Sequence, residues 1–590
     1  MKSQHSKCPA LSPGLFLSLF SLLIINPLFL VAQDKPNIII MMTDDQGYGD
    51  LGFHGNPYLK TPHIESIAQG GIEMTHFFTY PNCSPTRAGL LTGRYPYRAG
   101  VVGVTQVDHL MNTSETTIAE ILSSHGYRTG IFGKWHLGDN YPMRPTDQGF
   151  KEALVHKGGG IGQAAGPAGN SYFDPTLEHN NVSKKYEGYC DDIFTDAALN
   201  FINKTDQKPF FVYLATNLPH FPLQVPDEMA DPYREMGLHE DNARTYGMIA
   251  NIDANVGRVL ERLKFLNIED NTLVIFLSDN GPRQRRTKND VYPGRWVANL
   301  RGTKTSVYEC GIRVPFFVRW PDKLPKGKKI TTMGAVIDIL PTILDACEIA
   351  PPENVTLDGR SLLPLWEGQS VDYGNRTFIT QMQVGPTAFK YMHFAVRTQK
   401  YKLVSPHDDP HHILYQPKDE ELKETLTNLE LYDVENDPSE RINLASKYPE
   451  MVDDLLGHYE NWFDEVTQER DSKGIQRIHL GTTAQPKVNL SRFDWGGPRV
   501  ISRNELGYWR VKTEPGQYEI ALDLPQLEAN GVAHIKYQNL HLTQPVRKNQ
   551  QRLVFRNVNL PGGAGIFQAF LKTERLASGP LFVEVKRLDL

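Results

Sequence analysis

Four short apolar runs, at residues 37–42, 129–132, 210–214 and 273–277, have the length of buried strands and are too short for helices. Few folds are open to a chain that separates such runs with helical stretches. One helix opens at Thr61-Pro62, a capping residue followed by proline at the first helical position; Ile64, Ile67 and Ala68 form its inward stripe and Gly70 stops it. A second is predicted over about 114–125, with Ile118, Ile121 and Leu122 inward and Gly126 behind it. Strands alternating with helices over about 35–367 predict an α/β region on a mostly parallel sheet. Beyond it, 394–404 alternates like an exposed strand and 448–466 reads as an amphipathic helix, which suggests a smaller α+β unit. Short alternating runs at 518–524, 534–537, 553–557 and 581–585, separated by Gly, Pro and Asn, predict a C-terminal β-sandwich.

The ends and the charge narrow the setting. At ~150 residues per domain, the chain has room for about two to four domains. Lys2 and Lys7 precede an apolar run at 15–31, broken by Asn26 and Pro27 and closed by Ala32, which reads as an export signal over 1–32. An uncleaved anchor is the alternative; either way the expected location is outside the cytoplasm, periplasmic or secreted. No later segment is apolar for long enough to span, so no stable membrane insertion is expected. Sixty-two Lys+Arg against 68 Asp+Glu leave a net −6, with no overall footprint for nucleic acid. Of the five cysteines, Cys8 lies in the signal; Cys83, Cys190, Cys310 and Cys347 are too few and scattered for a disulfide framework or zinc knuckle.

Chemistry collects where strands end. Asp44-Asp45 follows the first run and Asp279-Asn280 the last. Open α/β sheets bind ligands at the carboxyl ends of their strands, and three carboxylates with one amide are hard oxygen donors suited to Ca²⁺ or Mg²⁺. Asp and Asn also simply favour turns, but two matching pairs weaken that reading. Gly47-Tyr48-Gly49-Asp50-Leu51-Gly52 fits a dinucleotide fingerprint, yet no helix is expected before Thr61 and two aspartates would repel a pyrophosphate, so it is rejected. Cys83-Ser84-Pro85-Thr86-Arg87 offers a cysteine whose thiolate Arg87 could favour. Lys134 and His136 sit two apart after 129–132, on one face if the backbone stays extended. Pro219-His220 follows 210–214, and Arg301-Gly302-Thr303-Lys304 lies further on. Any one of these cations is commonly a solvated or core-satisfied group. Together with a metal they can clamp a tetrahedral oxyanion such as sulfate or phosphate.

Cys83-x-Pro85-x-Arg87 with Leu91-Thr92-Gly93, preceded by Asp44-Asp45-Gln46-Gly47 and followed by Gly133-Lys134-Trp135-His136-Leu137-Gly138, resembles the type I, formylglycine-dependent sulfatase family of the alkaline-phosphatase-like superfamily. Ser278-Asp279-Asn280-Gly281, the Lys304 segment and the late Leu431-Tyr432-Asp433 stretch continue the likeness, which covers roughly 35–466 and is most like exported polysaccharide sulfatases and arylsulfatases. Thr86 stands where many members have Ser or Ala. The resemblance implies an α/β fold with an alkaline-phosphatase-like mixed sheet and flanking helices over 33–375 and an α+β subdomain over 376–480; the strand pattern beyond it places an accessory β-sandwich over 481–590. It implies that a formylglycine-generating or sulfatase-maturating enzyme oxidises Cys83 to formylglycine (3-oxoalanine), whose hydrated aldehyde is the nucleophile. Asp44, Asp45, Asp279, Asn280 and the modified Cys83 would hold Ca²⁺. Arg87 and Lys134 would orient the diol; Lys134, His220 and Lys304 would neutralise sulfate. His220 or Lys304 would protonate the leaving alcohol, and His136 would take the proton that lets sulfate depart.

Two other readings remain open at this stage: a phosphonate or phosphodiester hydrolase of the same superfamily, and a non-catalytic protein that binds sulfated glycans. The expected partner is a sulfated polysaccharide or oligosaccharide. By position, residues 158–162, His179, residues 283–286 and Trp296 are expected near the mouth of the site.

Overall fold

The computed structural model describes residues 35–104, 109–204, 208–283, 295–353, 355–373, 376–383, 385, 387–406, 425–497, 506–573 and 577–590, with the backbone of 286–287 and 290–291. The predicted signal at 1–32, with Cys8, lies outside the described residues, as do Arg285 and the side chain of Arg286.

A ten-stranded mixed sheet organises the N-terminal part. Its strands are β1 (Asn37–Thr43), β2 (Ile72–Met74), β3 (Arg128–Lys134), β4 (Glu152–His156), β5 (Thr176–His179), β6 (Val182–Lys185), β7 (Phe210–Ala215), β8 (Thr272–Ser278), β9 (Phe316–Arg319) and β10 (Lys328–Ile330). They lie in the order β10-β2-β9-β8-β1-β7-β3-β4-β5-β6. All four apolar runs are strands here, and they form the parallel centre β8-β1-β7-β3. Their side chains are buried on both faces, which explains a continuous rather than alternating apolar pattern. The sheet is less parallel than the sequence suggests, because β9, β5 and β6 pair antiparallel toward the edges.

The helices follow the sequence signals with local corrections. Helix α1 (Pro62–Gln69) buries Ile64, Ile67 and Ala68 and ends at Gly70. Thr61 occupies the cap position without capping: its hydroxyl donates to Glu65 and accepts from the Gly52 amide. Helix α2 (Cys83–Thr92) is buried throughout. Helix α3 (Ile118–Ser124) starts later than expected because Thr117, not Ser114, closes a capping box with Glu120. Helices α4 (Cys190–Ile202) and α5 (Glu240–Phe265) belong to the sheet's other face, where Phe194, Phe201, Met248 and Val259 share a core with Ile39 and Val212.

Further on, β11 (Phe378–Gln381), β12 (Phe394–Arg397), β13 (Tyr401–Val404) and β14 (Glu430–Asp433) form an antiparallel sheet beside helix α6 (Pro449–Lys473). The stretch expected as one exposed strand is therefore two buried ones. Its polar residues are inside because Arg397 and Lys402 both reach Glu309, at 3.2 Å each, and Lys402 also meets Glu440 at 2.8 Å. Tyr459 and Trp462 of α6 belong to the same apolar core as Ile38 and Ile40 of β1.

The C-terminal strands form two stacked antiparallel-rich sheets, as predicted. They are β15 (Ile478–Leu480), β16 (Lys487–Ser491), β17 (Trp509–Thr513), β18 (Gly516–Asp523), β19 (Gly531–Tyr537), β20 (Leu540–Val546), β21 (Arg552–Leu560), β22 (Gly563–Lys572) and β23 (Phe582–Arg587). One sheet runs β15-β17-β22-β19-β20 and the other β16-β23-β18-β21. Leu110 and Met143 from the N-terminal part enter their shared core.

Candidate active site

The parallel centre brings the predicted residues together. Asp44 and Asp45 follow β1, Asp279 and Asn280 follow β8, Lys134 ends β3, and His220 lies just beyond β7. Four adjacent strands thus deliver their polar ends to one crevice. Gly133 is required for this: its φ of 116° is left-handed, and a Cβ there would stand 1.9 Å from the Ala215 carbonyl of the neighbouring strand.

Cys83 is the first residue of α2, so its side chain sits at the positive end of that helix. Its Sγ lies 3.6 Å from Asp44 Oδ1, and Lys304 Nζ donates to it at 3.2 Å. Burial pushes the thiol up to about 12, with Lys134 and Lys304 opposing and Asp279 and Asp44 reinforcing the shift. The idea of an ordinary thiolate favoured by Arg87 is therefore corrected: the unmodified cysteine is held protonated. Arg87, one turn along the same helix, directs its guanidinium to Asp279 Oδ2 (2.7 and 3.2 Å) and the Lys134 carbonyl (3.0 Å). Both members of the Arg87–Asp279 pair are fully buried. Lys134 Nζ bonds Asp44 Oδ2 at 2.7 Å, and Lys304 Nζ bonds Asp45 Oδ1 at 2.5 Å.

The donor set fits a hard cation. Asp44, Asp45, Cys83 and His220 offer ligand atoms all within 4.8 Å of one another. Asp279 adjoins them, its Oδ1 accepting from the Asp45 amide at 3.2 Å. The Asn280 amide nitrogen donates to Asp45 Oδ1 at 2.8 Å, which fixes the orientation of the group and leaves Asn280 Oδ1 buried and without a partner. Asp45 Oδ2 is buried and unpartnered as well. Two orphaned acceptors beside three carboxylates are costly unless a cation completes them. Burial would raise the Asp45 carboxyl, but Lys304, by its charge and its hydrogen bond, outweighs it and holds the group well below the usual carboxylate range.

The two histidines present different nitrogens. His136 has a left-handed φ of 62°, so the extended backbone expected from its spacing with Lys134 is not formed. Its Nε2 donates to the Val104 carbonyl at 2.8 Å, and its buried Nδ1 has no partner. Burial first, then Lys134 and His109, hold the ring neutral. Such a ring is set to accept a proton at Nδ1. His220 donates from Nδ1 to the Phe221 carbonyl at 2.6 Å and turns Nε2 toward Asp45 Oδ2 at 3.9 Å. Gly159 lets its loop approach His136, since a Cβ there would lie 2.8 Å from the imidazole Cε1. Of the residues expected at the mouth, the 158–162 loop and Arg283 come near this centre: Gly159 lies against His136, a Cβ on Gly160 would stand 3.3 Å from His220 Nδ1, and Arg283 lies over the Phe221 ring at 5.5 Å. His179 instead pairs with Leu154 on the sheet edge, and Trp296 donates its amide to Tyr246.

Some neighbours gave no local signal in the sequence. Phe493 and Asp494 arrive from the C-terminal sheets: the Phe493 ring lies 4.9 Å from His109 and 5.6 Å from His136, and Asp494 Oδ1 stands 3.3 Å from His109 Nε2. Asp139 accepts from the Gly158 amide at 2.9 Å. Its carboxyl is pushed up to about 7 by burial and then by Asp494, against Lys157 and His109. A buried acid with a raised pKa keeps its proton while the unfolded chain releases it, so stability falls as pH rises from about 4 to about 7 and is level outside that window. Asp139→Asn is expected to flatten this fall, gaining on the order of 4 kcal/mol over wild type between pH 4 and pH 8, as read by urea midpoints at the two pH values.

A hard-cation cradle ringed by lysine, arginine and neutral imidazole around one buried helix-terminal cysteine defines a hydrolase of oxyanion esters. Comparison with known proteins specifies which. The sulfatase family profile matches residues 36–349, and that of the N-sulphoglucosamine sulphohydrolase C-terminal region matches 303–461. The chain is 30% identical over 493 residues to an N-acetylgalactosamine-6-O-sulfatase of Bacteroides thetaiotaomicron, covering 72% of this chain and 92% of that protein. It is 32% identical over 481 residues to human arylsulfatase A, covering 74% and 89%. The crystal structure of Ps i-CgsB in complex with k-i-k-neocarrahexaose superposes with a TM-score of 0.61 at 29% identity, covering 73% of this chain and 93% of that one. The chain belongs to the sulfatase family and is a sulfuric ester hydrolase.

Proposed function

We propose that the protein is an exported sulfatase of sulfated polysaccharides or oligosaccharides that works through a formylglycine at position 83 and a bound Ca²⁺. The single observation that carries this is the position of Cys83: first residue of a buried helix, against Asp44 and Lys304, beside the unpartnered oxygens of Asp45 and Asn280. The amino sugar in the name of the Bacteroides relative and the k-i-k-neocarrahexaose held in the Ps i-CgsB structure support the substrate class. Export rests on the apolar 15–31 segment, and a maturating enzyme is the partner that position 83 requires. Residues 33–375 would then form the catalytic region, 376–480 its α+β companion and 481–590 the accessory sandwich.

Conversion of Cys83 to formylglycine supplies a hydrated aldehyde with two hydroxyls, one to attack sulfur and one from which sulfate can be released. Asp44, Asp45, Asp279 and Asn280 would hold Ca²⁺, which supplies positive charge toward the ester's sulfonate oxygens. Asp279, clamped by Arg87, is the carboxylate that would take a proton from the attacking hydroxyl. Lys134 and Lys304 would neutralise sulfate oxygens. Lys304 would also protonate the leaving alcohol, because His220 commits its Nδ1–H to a backbone carbonyl and presents an unprotonated Nε2. His136 would accept the second hydroxyl's proton at its free Nδ1.

Released sulfate from 4-nitrophenyl sulfate and from a panel of defined sulfated sugars tests the reading, together with the mass of the peptide containing residue 83. A preference for aryl phosphate, or an unmodified thiol in fully active protein, would overturn it. Dialysis against a chelator is expected to abolish turnover and lower the thermal midpoint by several degrees, both restored by Ca²⁺. A ligand at 100 times its Kd contributes about 2.7 kcal/mol.

A further inference from the structure

The two outward faces of the C-terminal sandwich differ in charge. On the sheet β16-β23-β18-β21 opposite charges neutralise one another: Lys487 meets Glu584 at 2.7 Å, and Arg552 reaches Asp523 at 2.6 Å and Glu584 at 3.0 Å. On the other sheet the register places Arg510 beside Ile566, Lys512 beside Ala564, and Val532 beside Lys572. Lys536 lies between Gln568 and His541, and His534 between Phe570 and Thr543. No outward position of these strands carries a carboxylate; Glu514 follows just past the end of β17, near His479 on the rim. Among the described residues Arg510, Lys512, Lys536 and Lys572 form no ion pairs. In a chain whose net charge is −6, a solvent-facing sheet with cations of one sign is a local departure.

The same face has an apolar centre. The Phe570 ring stacks on His534 at 4.6 Å with an interplanar angle of 9°, and Lys536 Nζ lies 5.5 Å from the same ring. Val532 and Ile566, on either side, are 38% and 37% exposed. The Phe570–His534 pair with Val532 and Ile566 offers apolar contact to the C–H faces of sugar rings, while the flanking ammonium groups match sulfate esters along a chain. Duplex nucleic acid would use the charges but leave the apolar centre idle.

We propose that this face is a second binding site, for the sulfated polysaccharide itself, which holds the polymer while the centre at Cys83 acts. The inference rests on the reading that the substrate is a sulfated glycan. The test uses the full chain in a Cys83→Ala background, so that turnover cannot alter the probe. Affinity for dextran sulfate, for unsulfated dextran of equal length and for duplex DNA of equal charge is read by gel retardation. The expected result is retention by dextran sulfate that weakens with salt and falls about fivefold or more in K512Q/K536Q/K572Q, with a further loss in Phe570→Ala. A smaller loss in the triple variant, equal retention by unsulfated dextran, or equal retention by DNA would each overturn the proposal. In the Cys83 background the same surface substitutions should leave 4-nitrophenyl sulfate turnover and the thermal midpoint unchanged. Failure of the matured parent to turn over 4-nitrophenyl sulfate would count against the catalytic reading alone, because retention is measured separately.

Discussion

Cys83→Ser is expected to release about one equivalent of 4-nitrophenol per chain at most and then to stop, with steady-state turnover lowered on the order of 10⁴-fold. Serine places a hydroxyl where the thiol stands, at the start of α2 and within reach of Lys304 and Asp44. It can attack sulfur once: the new bond joins Oγ to sulfur, the ester bond to the alcohol breaks, and the alcohol takes a proton. The product is a sulfate ester on serine with no second hydroxyl on the same carbon, so the base proposed at His136 Nδ1 would have no proton to remove. Direct hydrolysis must bring water in line with sulfur, and residue 83 is only 2% exposed. Intact mass should show one added sulfo group, located on the peptide containing residue 83. Cys83→Ala should show neither burst nor adduct. Multiple turnovers by the serine protein near the parent rate would defeat the mechanism.

Much of this centre was legible because the grammar of an α/β sheet is local. A buried strand must end, its last residues face the crevice, and Asp44, Asp279 and Lys134 each stand next to an apolar run that the sequence marks clearly. Helix α2 was not predicted, although the interval from Cys83 to Arg87 is one helical turn: it is buried on every side and so carries no amphipathic stripe to mark it. The chain could not announce pairings whose partners are remote. Arg397 and Lys402 look solvent-exposed in sequence and are buried by Glu309, which comes from the N-terminal part of the chain. His136 looks extended after its strand and is left-handed, because the strand has already ended at Lys134 and the loop must turn its ring to the Val104 carbonyl. The wall behind His136 is the largest omission, since no spacing rule links residue 136 to residue 493.

That wall yields the second large effect. Phe493→Ala is expected to lower kcat for 4-nitrophenyl sulfate roughly 10- to 100-fold with KM changed by less than about threefold. Phe493 occupies a short turn, Arg492–Asp494, held by the Ser491 hydroxyl, which accepts from the Phe493 amide at 3.1 Å and donates to Asp494 Oδ2 at 3.2 Å. Its ring closes the space between His109, His136 and the Gly158 loop, where a Cβ on Gly158 would come within 3.5 Å of it. Truncation to alanine removes about 3–5 kcal/mol of packing and opens a cavity against the imidazole that would accept a proton in the proposed mechanism. The Val104 hydrogen bond alone then leaves His136 free to tilt, and a shift of about 1 Å at a proton acceptor is enough for the kinetic loss. Stability and positioning separate experimentally. Rates are taken well below the variant's thermal midpoint, and Phe493→Leu, which refills most of the volume, should recover most of kcat. A lowered midpoint with kcat unchanged would make Phe493 a packing residue only, and the C-terminal sandwich would then have no part in the chemistry at Cys83.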